Sequence, residues 1–408
     1  MIFLTFNPYG FNLNLPRFGV DREEKALRGK YKFAIMAPFS KISTELTMNA
    51  IFRKIVVIAF LFIFVPLFAS TLWGFPPAAK PRISVLATGG TIAGAAPVAT
   101  QTIGYQAAEL PVGEVLASVP DLGRIADIHG EQVVQIAREN MNPDIWMRIA
   151  RRCDDLLSRD NADGIVITQG TDTLEETAYF LNLTLKSRKP VVLVGAMRPA
   201  TALSADGSLN LYNAVATAAS PLTRGQGVLV VMNDMVNAAR EVTKTSTFSV
   251  ETFRSPDLGA LGYIKSGRVH LYRGPSRRHT TDTPFYLKNI EKLPKIEILY
   301  GYAGSGTAAV EAAVKAGVAG IVYAATGNGS LPEAAKAALA AASKKGVFVV
   351  RSSRTGSGMV ARNGEVNDDA LGFVAADNLN PQKARILLML ALTATQDAKV
   401  IQQYFDTY

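Results

Sequence analysis

The sequence predicts an α/β fold of two domains, each built on a mainly parallel β-sheet that is flanked by helices. Two observations support this prediction. Seven short apolar runs rich in β-branched residues follow Arg82, each bounded by Gly, Asn, Asp or Pro. Stretches with helical periodicity and helix-start residues lie between these runs. Because the runs are apolar throughout rather than alternating, we expect helices to cover both faces of the sheets.

The predicted strands follow one another at intervals that leave room for a helix between most neighbours. They are Ile83–Ala87, Gly164–Thr168, Val191–Gly195, Gly227–Met232, Ile296–Tyr300, Ile321–Ala325 and Val347–Val350. Four helices have clear start signals. Asn142-Pro143 opens a helix to about Ser158, Thr173 with Glu176 forms a capping box, Ser330 precedes a helix ending near Gly346, and Asn380-Pro381 precedes the last helix.

One polar stretch interrupts the alternation of strands and helices. From Arg273 to Lys295 the chain is rich in Arg, Thr, Pro and Lys. This composition predicts a linker over residues 276–294. It would join an N-terminal α/β domain over residues 81–275, which carries the catalytic loops, to a smaller C-terminal α/β domain over residues 295–408.

Residues 48–70 have the order of a secretory signal peptide. The cations Arg53 and Lys54 precede an apolar run that Pro66 ends, and small residues follow. Cleavage would release the mature chain into the periplasm. A permanent inner-membrane anchor is the alternative, but the run is eleven residues long, short of the roughly 20 that span a bilayer. Residues 1–47 are either an over-extended gene model, with Met48 the true start, or a genuine disordered tail.

More than half of the net positive charge of the chain lies in residues 1–70. The whole sequence has 43 basic and 34 acidic residues, a net charge of +9, of which residues 1–70 hold nine basic and four acidic ones. The remainder therefore carries 34 − 30 = +4. No basic cluster with interleaved aromatic residues is left there, so the sequence gives no support for a nucleic-acid partner.

Histidine and cysteine are too scarce for several kinds of site. The three histidines, at positions 129, 270 and 279, lack the close spacing of a zinc-protease motif, and Cys153 is the single cysteine. A disulfide within the chain, a cysteine zinc cluster and a zinc-protease motif are excluded. We expect no metal, and we expect Cys153 to be a small packing residue rather than a nucleophile.

Two loops that follow predicted strands carry polar groups suited to chemistry. The first, Thr88–Gly94, has glycines that bring backbone amides close to a ligand, but it lacks the spacing of a dinucleotide or P-loop site. The second includes Thr171 and Asp172 at the start of a helix, where the helix dipole favours negative charge. Plain structural roles are the alternatives: a glycine turn and a pair of helix caps.

A hydroxyl nucleophile needs a base or a cation beside it, and no histidine lies near either loop. Lys244 follows the strand Gly227–Met232 and could reach the same sheet edge. A lysine held there by Asp172 would help to take a proton from Thr171 or from water. The alternative is a solvated surface lysine.

Five motifs in order resemble one known family. They are ATGGTIAG at 87–94, ITQGTDTLEETAYFL at 167–181, VGAMRPATALSADGSLNLYNAV at 194–215, GVLVVMND at 227–234 and LNPQKAR at 379–385. From about Arg82 to Tyr408 the chain resembles the bacterial type II L-asparaginases and glutaminase-asparaginases. These periplasmic enzymes hydrolyse the side-chain amide of asparagine and often that of glutamine.

The resemblance implies roles for individual residues. Thr91 would be the nucleophile and Tyr105 a lid residue, and a neighbouring subunit would supply Glu365 and Asn328. The implied catalytic residues are Thr91, Tyr105, Thr171, Asp172, Lys244 and Glu365, and the implied substrate-binding residues are Gly90, Arg138, Glu139, Gly170, Thr171, Asp172 and Asn328. The resemblance also implies a homotetramer, a dimer of dimers with active sites at the intimate dimer interface, and no metal or organic cofactor.

The sequence departs from the family pattern at three positions. Arg138 stands where the family usually has a serine beside the substrate α-carboxylate, so it would either pair with that carboxylate or crowd the pocket. Glu139 stands where some members have glutamine, and Gln169 replaces a common histidine. Two functions remain: an amidohydrolase acting on asparagine and possibly glutamine, or an amino-acid-binding or catalytically altered homologue without turnover.

Overall fold

The computed structural model describes residues 79–106, 109–159 and 161–408, and of Arg138 it describes the backbone alone. The predicted extension over residues 1–47 and the predicted signal peptide over residues 48–70 lie outside the described residues. Within the described ranges, no helix combines the length and the apolar content needed to cross a membrane.

The described chain alternates strands and helices. The strands are β1 Arg82–Gly89, β2 Asp127–Ile136, β3 Gly164–Thr168, β4 Val191–Val194, β5 Val228–Met232, β6 Met235–Ala238, β7 Thr243–Lys244, β8 Phe253–Arg254, β9 Gly262–Lys265, β10 Arg268–Leu271, β11 Ile296–Tyr300, β12 Gly320–Ala325, β13 Phe348–Ser353 and β14 Phe373–Ala375. The helices are α1 Val112–Ala117, α2 Leu122–Ile125, α3 Pro143–Ser158, α4 Leu174–Thr184, α5 Gly207–Ala219, α6 Ala308–Lys315, α7 Glu333–Lys344, α8 Asp368–Leu371, α9 Pro381–Ala391 and α10 Ala398–Thr407.

The larger sheet has eight strands in the order β10-β9-β6-β5-β4-β3-β1-β2. Strands β2, β1, β3, β4 and β5 are parallel, whereas β6, β9 and β10 add antiparallel strands at one side. Every residue of β3, β4 and β5 is buried. Since successive side chains of a strand point to opposite faces, both faces of the central sheet are covered. This arrangement confirms the predicted fold class.

The smaller sheet contains β11, β12, β13 and β14, all parallel. Helix α9 packs against three of these strands and also against α4, which lies on the larger sheet. One continuous hydrophobic core therefore contains Val192 and Leu229 from the larger sheet and Val322 and Leu388 from the smaller sheet and α9. The loops of the first sheet and the start of α9 are thereby brought close together.

Two helices begin where asparagine and proline stand together. Asn142 accepts hydrogen bonds from the amides of Asp144 and Ile145, both at 3.1 Å, at the start of α3. Asn380 accepts one from the amide of Lys383 at 3.0 Å at the start of α9. Asparagine satisfies the free amides of the first turn, and proline has no amide to satisfy there.

Three details of the sequence prediction are wrong. Helix α9 is not the last, because α10 follows it. Thr173 is the N-cap residue of α4, but its hydroxyl makes no capping hydrogen bond, so the predicted capping box does not form. Helix α7 begins at Glu333 with Pro332 as its N-cap residue, two residues after Ser330, the residue expected to precede it.

Candidate active site

The two loops singled out in the sequence lie side by side at the carboxyl edge of the larger sheet. Strands β1 and β3 are paired neighbours, with Ala87 opposite Thr168. The short helical turn Arg138–Asn140 follows β2, whose Ile136 pairs with Gly89 of β1. Three strand ends therefore direct their loops to one region, where ligands bind in sheets of this kind.

Gly90 and Gly170 are the points at which the first two loops touch. Gly90 has φ of +86°, a conformation that favours glycine. A Cβ atom at this position would lie 2.3 Å from the amide nitrogen of Gly170 and 2.4 Å from its Cα. The close approach of the two backbones therefore requires glycine at position 90.

Thr91 follows at once and is buried, with 1% of its surface exposed. Its Oγ1 lies 2.7 Å from the phenolic oxygen of Tyr105, and either hydroxyl can donate. Tyr105 is held beside Thr91 by the next residue, Gln106, which exchanges two backbone hydrogen bonds of 3.0 and 3.1 Å with Ala95. The segment that carries Tyr105 thus closes over the Thr91 hydroxyl.

Lys244 joins the residues of the second loop. Its Nζ donates to Oγ1 of Thr171 at 2.8 Å and to Oδ1 of Asp172 at 2.6 Å. The Lys244 side chain is 17% exposed, and Thr171 is buried. Lys244 is therefore not a solvated surface residue. It forms an ion pair with Asp172 and a hydrogen bond with the Thr171 hydroxyl, just before the start of α4.

The two groups of residues face the same cavity of about 320 Å³. It is lined by Thr91, Thr102, Ile103, Gly104, Tyr105, Thr171, Asp172, Met197, Arg198, Lys244, Thr247 and Phe248. A larger cavity of about 930 Å³ lies between α3, residues 289–295 and α9, and it is lined by none of the predicted site residues. The smaller cavity is the candidate active site because the hydroxyls, the carboxylate and the amine converge there.

Several residues that line this cavity were not predicted from the sequence. Met197 and Arg198 belong to a quoted motif and follow β4 at the same sheet edge, so the rule that found the first two loops could have found them. Thr247 and Phe248 carried no such signal. They belong to the irregular chain between β7 and β8, whose path the sequence pattern did not predict.

The other predicted site residues lie elsewhere in the chain or lack a described side chain. Glu139 is exposed on the turn after β2, and the side chain of Arg138 is outside the described part. Asn328 and Glu365 belong to loops of the smaller sheet and do not line the cavity. The amide of Ala361 donates to Oδ1 of Asn328 at 2.8 Å, and the Ser330 hydroxyl donates to Glu365 at 3.3 Å.

A buried ion pair fixes the loops that carry Asn328 and Glu365. Arg351 and Asp368 are fully buried and share two hydrogen bonds of 2.6 Å. Arg351 also donates to the carbonyl oxygen of Gly329 at 2.8 Å and to that of Ala361 at 3.1 Å. These bonds satisfy the guanidinium in the core and tie both loops to one rigid centre.

Gln169 occupies the position where the family often has histidine. Its side chain is buried, and its Nε2 donates to Oγ1 of Thr173 at 3.3 Å. Its Oε1 has no hydrogen-bond partner among the described residues. The amide therefore belongs to the structure of the loop behind Thr171 rather than to the lining of the cavity.

Two ionisable groups that do not line the cavity, Glu176 and Cys153, have pKa values raised by burial. Burial raises the pKa of Glu176 to about 7, although Arg385, 3.9 Å away, acts in the opposite direction. Burial also raises the pKa of the Cys153 thiol, which is fully buried on α3, consistent with the predicted packing role. In the part of the chain that the structure describes, no group of three or more His, Cys, Asp or Glu side chains could hold a metal ion.

Two family models match most of the chain. Residues 82–277 match the model described as Asparaginase, N-terminal. Residues 295–405 match the model described as Glutaminase/Asparaginase C-terminal domain. The gap between the two matches includes most of the predicted linker.

Individual proteins match the same region. The chain is 50% identical over 328 residues to the "Probable L-asparaginase periplasmic" of Haemophilus influenzae, covering 80% of this chain and 93% of that protein. It is 48% identical over 356 residues to the "Glutaminase-asparaginase" of Pseudomonas fluorescens, covering 85% and 98%. A solved structure of a "Probable Cytoplasmic L-asparaginase" from Campylobacter jejuni has a TM-score of 0.79 and 48% identity, covering 81% of this chain and all of that one.

Proposed function

The chain belongs to the asparaginase family, and on that premise we propose that it hydrolyses the side-chain amide of L-asparagine to L-aspartate and ammonia. One observation supports this above the others. The Thr91–Tyr105 pair and the Lys244–Thr171–Asp172 group line a single small cavity. A nucleophile and a proton-transfer group thus lie within reach of one small substrate.

Thr91 is the nucleophile of the first half-reaction. Its Oγ1 attacks the amide carbonyl carbon, and the bond to nitrogen breaks as the leaving group takes a proton and departs as ammonia. Tyr105, at 2.7 Å, is placed to accept the proton of the Thr91 hydroxyl while its own phenolic proton passes to the leaving nitrogen. Backbone amides of the glycine-rich loop and of Thr171 stabilise the negative oxygen, an effect worth about 3–4 kcal/mol per donor.

Water completes the second half-reaction. It attacks the aspartyl ester on Thr91, and aspartate leaves as the threonine hydroxyl is restored. Lys244, held by Thr171 and Asp172, helps to move the proton of the attacking water. The reaction needs neither a metal nor an organic cofactor, since every group it uses is a side chain or a backbone amide.

The substrate is held by charge. Asp172 binds the α-ammonium group with help from Glu139, and Arg138 acts on the α-carboxylate, either by pairing with it or by crowding it. Gly90 and Gly170 keep the loop backbones close enough for their amides to reach the ligand. Glutamine is a candidate second substrate because one relative is named a glutaminase-asparaginase.

Assembly, domains and export belong to the same proposal. Residues 81–275 and 295–408 form two domains joined by residues 276–294. Glu365 and Asn328 of the partner subunit complete each site within a homotetramer, in keeping with their absence from the cavity lining of their own chain.

Residues 48–70 direct export to the periplasm. One relative is named periplasmic and another cytoplasmic, so N-terminal sequencing of the exported protein is the test of cleavage near Ala69.

Ammonia release by purified residues 71–408 tests the activity. We expect turnover of L-asparagine by the wild type and a loss of at least about 10³-fold in Thr91→Ala. Arg138→Ser, assayed beside them, shows whether the arginine tightens or weakens substrate binding through the direction in which KM moves. Binding of asparagine without ammonia release in both wild type and Arg138→Ser would favour the alternative, an amino-acid-binding homologue.

A further inference from the structure

The motif LNPQK at residues 379–383 has no part in the proposed chemistry, yet its side chains reach the segment that carries Lys244. That segment, residues 240–244, ends in β7, which is two residues long and, among the described strands, pairs only with the equally short β8. Such a short strand pair does little to fix a backbone. Other contacts must therefore hold the catalytic lysine in place.

Two buried charged side chains bind the backbone of this segment. An Oε2 atom of Glu175, on the first turn of α4, accepts a hydrogen bond of 2.8 Å from the amide of Lys244. The Nζ of Lys383, on the first turn of α9, donates to the carbonyl oxygen of Arg240 at 3.0 Å and also to that of Val242. Glu175 is 4% exposed and Lys383 2% exposed.

Asn380 joins these two side chains into one arrangement. Its Nδ2 donates to Oε1 of Glu175 at 3.0 Å and lies 3.4 Å from Oγ1 of Thr243. Its Oδ1 caps α9 by accepting from the amide of Lys383. Because the N-cap residue and the third helical residue lie on the same side of the first turn, the spacing N-P-Q-K directs both side chains to one segment.

Burial of the Lys383 amine costs free energy, which its contacts with residues 240–244 must offset. Loss of water lowers the pKa of Lys383 to about 8, and Glu175 acts in the opposite direction. A charged amine is kept in a core only when hydrogen bonds and a nearby charge compensate for the lost water. Here the compensating groups are the carbonyl oxygens of the segment that ends at Lys244.

We propose that Glu175, Asn380 and Lys383 are positioning residues, which hold residues 240–244 so that Nζ of Lys244 reaches Thr171 and Asp172. This inference rests on the role of Lys244 in the proposed function. None of the three touches the cavity, so their effect on the reaction passes through Lys244. Since α9 packs on the smaller sheet, the C-terminal domain shapes the active site of its own chain.

A matched pair of variants tests this inference. In Glu175→Gln, an NH2 group replaces one of the two acceptor oxygens. In either orientation this group faces a donor, which is Nδ2 of Asn380 or the backbone amide of Lys244. We expect kcat for ammonia release from L-asparagine to fall at least about tenfold while KM changes less than about threefold. Glu176→Gln is the same change at the next residue, without contact to the segment, and should keep kcat within about twofold of the wild type.

Exchange of the two hydrogen-bonding partners provides a rescue. In Glu175→Gln with Asn380→Asp, the new amide donates to the new carboxylate and its oxygen still accepts from the Lys244 amide. Aspartate also caps helices well. We expect kcat to return to within about threefold of the wild type. If Glu175→Gln does not fold, Asn380→Ser, which keeps a capping oxygen and loses the amide, provides the same comparison of kcat and KM.

A double-mutant cycle separates positioning from general stability. If Glu175 acts through Lys244, then Glu175→Gln should not lower kcat further in a Lys244→Met background. A wild-type kcat in Glu175→Gln, a folded double exchange without recovery, or a full further loss in the Lys244→Met background would overturn the inference alone. Wild-type kcat in Lys244→Met would refute the proposed role of that lysine and this inference together.

Discussion

The hydrogen bond between Thr91 and Tyr105 is the contact on which the proposed first step depends most. It joins Oγ1 of Thr91 to the phenolic oxygen of Tyr105 at 2.7 Å. We predict that Tyr105→Phe lowers kcat for asparagine hydrolysis by about 10²-fold, because the proton of Thr91 loses its acceptor. Steady-state ammonia release measures this, with Tyr272→Phe, an exposed tyrosine outside the cavity lining, as the control. Equal kcat values for the two variants would exclude Tyr105 from proton transfer.

Glu176 makes the stability of the protein depend on pH. Burial raises the pKa of this carboxyl from 4.5 to about 7, so the folded state binds its proton more tightly than the unfolded state does. The charged form is therefore disfavoured in the fold, and stability falls as the pH rises from about 4.5 through 7. This sign is opposite to that of a carboxylate stabilised by a salt bridge.

Glu176→Gln should consequently stabilise the protein in alkaline solution. We predict a Tm about 2–4 °C above that of the wild type at pH 8, and no increase at about pH 3, where the glutamate is protonated in both states. Thermal unfolding at a fixed protein concentration measures the difference. A gain of the same size at both values of pH would show that ionisation of Glu176 is not the cause.

The contact between the loops that carry Gly90 and Gly170 is expected to tolerate no side chain at position 90. Gly90→Ala introduces a Cβ atom 2.3 Å from the backbone of Gly170 at a φ of +86°. We predict a loss of about 1–3 kcal/mol in the free energy of unfolding and of about 10²-fold in kcat, since the loops must separate. Urea unfolding and ammonia release measure the two effects.

Gly113→Ala is the control for this change. Gly113 lies in α1, and nothing stands within 4 Å of a Cβ atom built there. Alanine favours a helix by about 0.5–1 kcal/mol over glycine, so this variant should be as stable as the wild type or more so, with unchanged kcat. Similar losses in both variants would argue against a specific role for Gly90.

The sequence predicted the central strands well because they are buried on both faces and therefore apolar throughout. Strand β2 was missed because it lies at the sheet edge, is only partly buried and contains Asp127, His129 and Glu131. The antiparallel strands β6, β9 and β10, four residues each, were missed because each contains a polar residue, whereas β4, of the same length, is apolar and buried throughout. Helix α5 begins after Asp206 without a side-chain cap, so its start carried little signal.

The candidate site could be predicted only in part. The two loops were found from the strand-edge rule, and Lys244 was found because it follows a strand of the same sheet. The contacts of Glu175, Asn380 and Lys383 with the Lys244 segment were not predicted, because they join Glu175 to Asn380 across 205 positions of sequence. A contact so distant along the chain depends on how the two sheets pack, which local patterns do not encode.

In the proposed homotetramer, each active site is completed by a partner subunit. Thr91 lines the cavity, whereas Glu365 lies on a loop of the smaller sheet away from it. We predict that Thr91→Ala and Glu365→Gln subunits are each nearly inactive alone. Co-expressed with different tags and purified as mixed oligomers, they should regain activity, since one site then contains both intact residues.

The mixed oligomers also provide their own control. Thr91→Ala co-expressed with Lys244→Met should regain nothing, because both residues line the same cavity of one chain. Recovery in the first mixture and not in the second supports sites shared between subunits. Absence of recovery in oligomers proven to be mixed would show that Glu365 acts in its own chain or not at all.

Identification of the covalent intermediate would test directly whether Thr91 is the nucleophile. Enzyme quenched in acid during turnover of L-asparagine would be digested and its peptides analysed by mass spectrometry. We predict an aspartyl ester on the peptide that contains Thr91, and neither ester nor ammonia from Thr91→Ala. An ester on Thr171 instead, or undiminished ammonia release by Thr91→Ala, would contradict it.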